Sequence, residues 1–294
     1  MSPAVDTINQ QTLAEQFGYA LTVLKSDPDL NTLFTNAVAQ GYDRTRFNAE
    51  LMNTGWYKAH GEAWRNATAL KSVDPATYAT KLAQSKASIG TQAAAMGAAM
   101  SPSTLAQMAD TALMFGWDAN QIQASMGTYV TYVKGDLLGQ AGQWDTELRA
   151  FGADNNIKFG TQSAWIQTNL QSVSEGKQTF NDVKNKVRDM AISAYPHLAD
   201  RLRQGETVAT IAEPYKQSMG TILELNPESL SLSDPKIRKA LDSRNKNGAP
   251  VMQTLYDFET GLRQDSRWLS TKNAQDATMG TAHKVLQDLG LVGA

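Results

Sequence analysis

The sequence predicts an all-α fold, a multi-helix body of repeated helical hairpins that is divided into two lobes. Three observations predict it: apolar residues recur every three or four positions, helix start signals are frequent, and apolar helical runs end repeatedly in glycine. The scan finds no convincing run that alternates apolar and polar residues over the length of a β-strand.

Apolar stripes run along both halves of the chain. Leu13, Phe17 and Leu24 belong to the first stripe, and Val183 and Val187 begin a second. Residues three or four apart lie on one face of a helix, so each stripe predicts an amphipathic helix with one buried face.

Helix starts are signalled by a capping residue followed by proline. Asp, Ser or Asn precedes Pro28, Pro75, Pro102, Pro227 and Pro235. The capping side chain accepts hydrogen bonds from free amides of the first turn, and proline at the first helical position has no amide hydrogen to leave unpaired.

A punctuation unit follows several of the apolar runs. In its complete form, a glycine that can take the left-handed conformation ends one helix, an aromatic follows, and an aspartate caps the next. The unit occurs at Gly41-Tyr42-Asp43, at Gly116-Trp117-Asp118 and, in weaker form, at Gly176 and Gly205. Each copy predicts a helical hairpin.

The predicted domain organisation has four parts. Polar residues 1–12 form an N-terminal arm, residues 13–134 an N-terminal helical lobe, and residues 144–294 a C-terminal helical lobe. Residues 135–143 connect the lobes, because three glycines fall within nine positions. The polar, turn-rich stretch 242–250 is an exposed loop before the final helices.

Composition excludes several classes of function. The net charge of −2 gives no specific signal for nucleic acid, and the absence of cysteine excludes disulfides and thiolate metal sites. Residues 1–11 lack the pattern of a signal peptide, and no stretch is long and apolar enough to span a membrane. The stretch 93–100, rich in alanine and glycine, predicts part of a helix with small side chains rather than a membrane span, and it ends the alanine-rich helix predicted over 81–100.

No catalytic, cofactor-binding or metal-binding residue can be named from the sequence. His60, His197 and His283 stand far apart, without a ligand at metal-binding spacing. Four glutamates lie near aromatics in the sequence, as any helical protein rich in carboxylates would show: Glu50, Glu62, Glu213 and Glu259. The basic stretch 236–246 has acidic residues close by, Asp234 before it and Asp242 within it, and is interpreted as a solvated face.

Two related aromatic stripes are the candidates for packing or for docking a partner. Phe47, Leu51 and Trp56 form the first, and Phe258, Leu262 and Trp268 form the second with one extra residue before the tryptophan. Large aromatics at helical spacing usually pack in a core, so a docking role is attractive only where a tryptophan proves exposed.

The chain resembles a family of helical minor tail or virion structural proteins of tailed phages, especially phages of actinobacteria. The matching stretches are FGYALTVLKSDPDLNTLF (17–34), GYDRTRFNAELMNTGWY (41–57), DPATY (74–78), ALMFGWD (112–118), AYPHL (194–198), EPYKQSM (213–219), LELNP (223–227) and DFETGLRQDSRWLSTKNA (257–274). The resemblance implies a virion protein, without catalytic residues or cofactors, assembled in the host cytoplasm and released by lysis. Its partners would be other virion proteins and copies of itself.

Three functions stay open. The first is a structural component of the tail or tail tip, which acts by packing. The second is an ejection or pilot protein released with the DNA, for which the alanine-rich helix and the many methionines would suit rearrangement. The third is a virion-associated peptidoglycan hydrolase, because helical glycosidases need only one or two carboxylates.

Overall fold

The computed structural model describes residues 3–289. The first two residues of the predicted N-terminal arm and residues 290–294 of the predicted C-terminal lobe lie outside this range. Of the described residues 72% are helical, and they form 17 α-helices, which confirms the all-α prediction. Within the described range the two named strands have two residues each: β1 (Ser243–Arg244) pairs antiparallel with β2 (Pro250–Val251). This hairpin covers the predicted exposed loop except its first residue and extends one residue beyond it.

The chain divides into two compact units. Unit 1 contains the described residues up to Gln143 together with Ala164–Gln178. Its helices are α1 (Pro3–Phe17), α2 (Leu21–Ser26), α3 (Pro28–Gln40), α4 (Arg44–Leu51), α5 (Gly55–Ala59), α6 (Glu62–Val73), α7 (Pro75–Met96), α8 (Pro102–Phe115), α9 (Ala119–Gly127), the first residues of α10 (Gly139–Asp154), and α11 (Ala164–Ser174).

Unit 2 contains Trp144–Ser163, which includes most of α10, and the described residues from Thr179 onward. Its helices after α10 are α12 (Phe180–Ala194), α13 (Ala199–Arg203), α14 (Val208–Leu223), α15 (Pro235–Leu241), α16 (Leu255–Leu262) and α17 (Lys272–Asp288). Three 3-10 turns lie between them, at Pro196–Leu198, Pro227–Ser229 and Trp268–Ser270.

Helix starts follow the predicted caps. Four of the five prolines predicted to begin helices are the first residues of α3, α7, α8 and α15, namely Pro28, Pro75, Pro102 and Pro235. Before α3, Asp27 Oδ1 accepts hydrogen bonds from the amides of Asp29 (2.9 Å) and Leu30 (3.2 Å). The fifth proline begins only the 3-10 turn Pro227–Ser229, because Leu230 returns to an extended conformation.

The glycines of the punctuation unit take the predicted left-handed conformation. Their φ values are 64° at Gly41, 63° at Gly116, 76° at Gly176 and 101° at Gly205. Asp43 and Asp118 cap α4 and α9, as predicted. The packing around the turns differs, since α3 packs on α4 whereas α9 packs mainly on α11. A shared turn geometry therefore serves different arrangements of the flanking helices.

Each unit has its own apolar core. In unit 1, helices α1–α5 enclose Phe17, Phe34 and Phe47, and α6, α7 and α8 pack together nearby in the chain. Tyr78 on α7 donates its hydroxyl hydrogen to Asp110 on α8 at 2.6 Å. Burial and this carboxylate raise the pKa of Tyr78. In unit 2, α12–α16 enclose a core that includes Met219.

The boundaries differ from the predicted ones in three places. Residues 3–17 form α1, so most of the predicted N-terminal arm is helical. The alanine-rich helix ends at Met96 rather than near residue 100, because Gly97 takes the left-handed conformation. Residues 164–178 lie with unit 1, whereas the sequence predicts them in the C-terminal lobe. Contacts of side chains fix this segment: Gln171 Nε2 donates to the carbonyl of Val130 at 2.8 Å.

Replacing Gly116 by valine tests the turn geometry. The left-handed backbone penalises a branched side chain, and a Cβ at this position would lie 2.6 Å from the Cβ of Ala63. We expect a loss of about 2 kcal/mol in the free energy of unfolding and a fall in Tm of roughly 4–8 °C. Gly261→Ala is the control, because a Cβ there meets no atom within 4 Å and the residue is helical. An unchanged Tm in Gly116→Val contradicts the assigned turn.

Candidate functional site

The first predicted aromatic stripe lies in the core of unit 1. Phe47, Leu51 and Trp56 are all buried. The ring of Phe47 stacks on that of Phe17 with centroids 4.1 Å apart, and Trp56 meets Trp64 edge to face at 5.6 Å. Burial assigns these three side chains to packing, and they offer no surface to a partner.

The second stripe is divided between core and surface. Phe258 and Leu262 are buried in the core of unit 2, where Phe258 meets Tyr215 edge to face at 5.1 Å. Trp268 is only partly buried, and it packs against the edge of the same core. Trp268 is therefore the one residue of the six that reaches the surface.

A cluster of charges fixes the turn that carries Trp268. Arg267 donates to Asp265 and to Asp234, both at 2.9 Å. Lys236 Nζ lies 3.6 Å from the carboxylate of Asp265. Hydrogen bonds and charge from Arg267 hold the pKa of Asp265 well below its usual range, and Asp265 in turn raises the pKa of Arg267. The start of α15 and the turn before α17 are thereby tied together.

Exposed apolar side chains are concentrated at the end of the described chain. More than half of the large apolar residues that are exposed lie between Leu255 and Leu289. Helix α17 carries three of these seven residues, Leu289 follows it directly, and Ala274 is its one buried residue. We call the following residues the α17 face, since their spacing places them on one side of the helix: Met279, Ala282, Val285, Leu286 and Leu289.

The α17 helix is anchored at its first turn. The Glu224 carboxylate accepts hydrogen bonds from the amides of Lys272 (2.9 Å) and Asn273 (2.8 Å). These amides lower the pKa of Glu224. The Thr271 hydroxyl accepts a hydrogen bond from the amide of Ala274 at 3.1 Å. The first turn of the helix is therefore fixed to unit 2, while residues 275–289 are exposed.

A groove separates Trp268 from the small side chains of α17. It has a volume of about 420 Å³ and is lined by Trp268, Ala277, Thr278, Thr281 and Ala282. Small residues on the helix leave this space open beside the indole ring. Together with the α17 face, the groove forms a largely apolar surface that suits contact with another protein.

The histidines and glutamates singled out in the sequence are dispersed, or they contact other residues of the fold. His60 stacks on Trp64 with ring centroids 3.9 Å apart, and His197 Nε2 lies 2.7 Å from the carbonyl oxygen of Leu241. Glu259 accepts from the hydroxyl of Ser218 at 2.9 Å. Among residues 3–289, no group of three or more histidines and carboxylates is placed to hold a metal ion.

One cleft in unit 1 contains two carboxylates. Asp29 and Glu50 line it with Asn36, Asn53 and Thr54, and its volume is about 430 Å³. One oxygen of Asp29 is engaged, because it accepts a hydrogen bond from the amide of Gly55 at 2.9 Å. The cleft is open and polar.

Comparison with known proteins gives no match. No family model matches the chain, and no curated protein or solved structure is significantly similar to it. The resemblance to phage virion proteins therefore stays a prediction. A search of the described helices for one that is long and apolar enough to cross a membrane finds none.

Replacing Glu224 by glutamine tests the anchor of α17. The variant keeps the size of the side chain but loses the charge that holds the amides of Lys272 and Asn273. We expect these two amides to exchange with solvent about threefold to tenfold faster, as for a weakened helix cap. Exchange measured by NMR at constant pH checks this. Glu228→Gln is the control, and equal exchange rates in both variants contradict the anchor.

Replacing Asp265 by asparagine tests the charge cluster. At neutral pH we expect a loss of about 1 kcal/mol in stability, or roughly 2–4 °C in Tm. Because the folded state lowers the pKa of Asp265, its stabilisation is complete above the ordinary pKa of aspartate, near 4, and is lost as the pH falls further.

Thermal melts at several pH values test this pH dependence. The Tm difference between the wild type and Asp265→Asn should shrink below about pH 4. Asp189→Asn on α12 is the control, since the Asp189 side chain is exposed. A difference that is constant with pH would show that the charge of Asp265 does not stabilise the fold.

Proposed function

We propose that this chain is a non-enzymatic structural component of a tailed phage particle, located in the tail or tail tip. It acts by packing against other virion proteins, including copies of itself. The α17 face is the observation that carries the proposal. The resemblance in sequence is the reason for proposing a phage particle as the assembly.

The α17 face has the character of a surface that is covered in an assembly. Met279 and Leu289 are 70% and 66% exposed, and Val285 and Leu286 lie beside them on the helix. Contiguous apolar side chains of this size mark contact sites for other proteins, since their exposure to water is unfavourable. An amphipathic helix that packs into a groove of a partner uses anchors at this spacing.

The hydrogen bonds at its first turn preorganise α17 for binding a partner. Glu224 and Thr271 fix the direction in which α17 leaves unit 2, so less conformational freedom is lost when a partner binds. Trp268 and the groove beside it extend the apolar surface along the first half of the helix. A virion protein whose work is to contact its neighbours needs such a surface and no reactive group.

Quantitative mass spectrometry of purified particles tests the location. We expect the chain at a fixed copy number both before and after triggered DNA release. Loss of the chain on release would instead identify an ejection or pilot protein. Absence from both samples would contradict a virion role.

Charge substitutions on the helix test the mode of action. In phage that carries Met279→Lys and Leu286→Lys together, we expect the chain to be incorporated into particles at least about tenfold less, because a buried unpaired charge is costly. Gln287→Lys adds a charge on the polar side of the same helix and serves as the control. Normal incorporation of the double variant, with an unchanged helical spectrum, would contradict docking through the α17 face.

A peptidoglycan hydrolase is the second candidate, and the cleft with Asp29 and Glu50 is the observation that favours it. Two carboxylates in one cleft can serve as acid and base in glycoside hydrolysis when their separation is suitable. The test measures whether the purified chain releases soluble fragments from peptidoglycan. Release that is abolished in Glu50→Gln would establish this function. No release would leave the structural role.

A further inference from the structure

A recess in unit 2, away from the α17 face, carries an inference that is independent of the proposed function. It has a volume of about 480 Å³ and lies between the end of α12 and α15. Its lining consists of Ala194, Tyr195, Pro235, Arg238, Lys239 and Asp242. Pockets for small ligands typically have volumes of about 300–1,000 Å³.

Two cations at the recess are free of carboxylate partners within the described residues. Arg238 and Lys239 lie in no ion pair, and no hydrogen bond occupies their charged groups. Nearby Lys236 and Arg267 differ, because both are paired with aspartates. Arg238 and Lys239 are therefore available to bind an anion.

Tyr195 lines the recess and carries a hydroxyl group that can donate a hydrogen bond. Its side chain is 92% buried, since 8% of its surface remains exposed. Asn156 Nδ2 donates to the Tyr195 hydroxyl oxygen at 2.6 Å. This bond leaves the hydroxyl hydrogen of Tyr195 free to donate, because no described residue accepts it.

We propose that this recess binds a small organic ligand through a phosphate group. Arg238 and Lys239 supply the charge and Tyr195 supplies a further donor, and guanidinium and ammonium groups are the usual partners of phosphate oxygens. Ala194 and Pro235 provide an apolar wall for the body of the ligand. Asp242 lines the same recess and repels a bare anion, so it favours a ligand that carries a hydrogen-bond donor in addition to the phosphate.

The shape of the basic region favours a small ligand over nucleic acid. Arg244 and Lys246, the other exposed cations of the stretch, lie on or near the β-hairpin and do not line the recess. Aromatic side chains for base stacking are missing from the recess apart from the buried Tyr195. A single pocket with two adjacent cations suits one phosphate group.

Calorimetric titration of the full chain tests the proposal with inorganic phosphate and glucose 6-phosphate as probes, at constant ionic strength. We expect saturable binding of the sugar phosphate with a Kd of about 1 mM or tighter, and weaker binding of inorganic phosphate. Arg238→Gln and Lys239→Gln should each weaken binding about tenfold. Tyr195→Phe should weaken it less, and Asp242→Asn should strengthen the binding of inorganic phosphate.

Lys246→Gln is the matched control, because it removes an exposed cation outside the recess; we expect no change. Equal losses in Lys246→Gln and Lys239→Gln, or no saturable binding of either probe, would overturn the proposal. Two further ligands are tested in the same way. One is vesicles of phosphatidylcholine that contain phosphatidic acid, and the other is a DNA duplex. Binding confined to the vesicles or to DNA would overturn a small ligand in favour of a lipid headgroup or nucleic acid. Thermal melts confirm that each variant is folded.

Discussion

Capping of helix starts by side-chain oxygens is the interaction on which the rest of this structure depends. Many of the helices are short, and a short helix leaves a large share of its amide hydrogens without partners at its first turn. Most caps are local, as when Asp27 receives the amides that begin α3. Helix α17 has a local cap, Thr271, and also a distant one, because the carboxylate of Glu224 lies 48 and 49 positions before the amides it accepts from. The distant cap ties the start of the last helix to the end of α14.

The consequence is a helix that is fixed at one end and exposed along the rest. Burial of apolar residues, which holds most helices of unit 2 in place, contributes little to α17, whose one buried residue is Ala274. Its attachment depends on hydrogen bonds from Glu224 and Thr271 instead. Apolar side chains are thereby left exposed. In the proposed function they form the surface that contacts another protein of the particle. The recess beside α15 differs in chemistry from the surface of α17, since charged side chains line the recess whereas apolar side chains form the α17 face.

Features that depend on neighbours in sequence could be predicted. The all-α class, the caps before Pro28 and Pro75, and the left-handed conformation of Gly116 follow from local patterns and are observed. Features that depend on tertiary contacts could not. The two aromatic stripes have similar sequences, yet Trp56 is buried and Trp268 reaches the surface. The basic stretch was visible, but its approach to Tyr195, more than 40 positions earlier, required the fold.

Hydrogen–deuterium exchange of α17, measured in assembled particles and in the isolated chain, tests the central claim most directly. Backbone amides of an exposed helix that is anchored at one end open frequently, whereas a covered helix is protected. We expect residues 275–289 to exchange much more slowly in the particle than in the isolated chain. The buried helix α14 should change little between the two samples. Equal exchange of α17 in both would contradict the claim that this helix packs against other virion proteins.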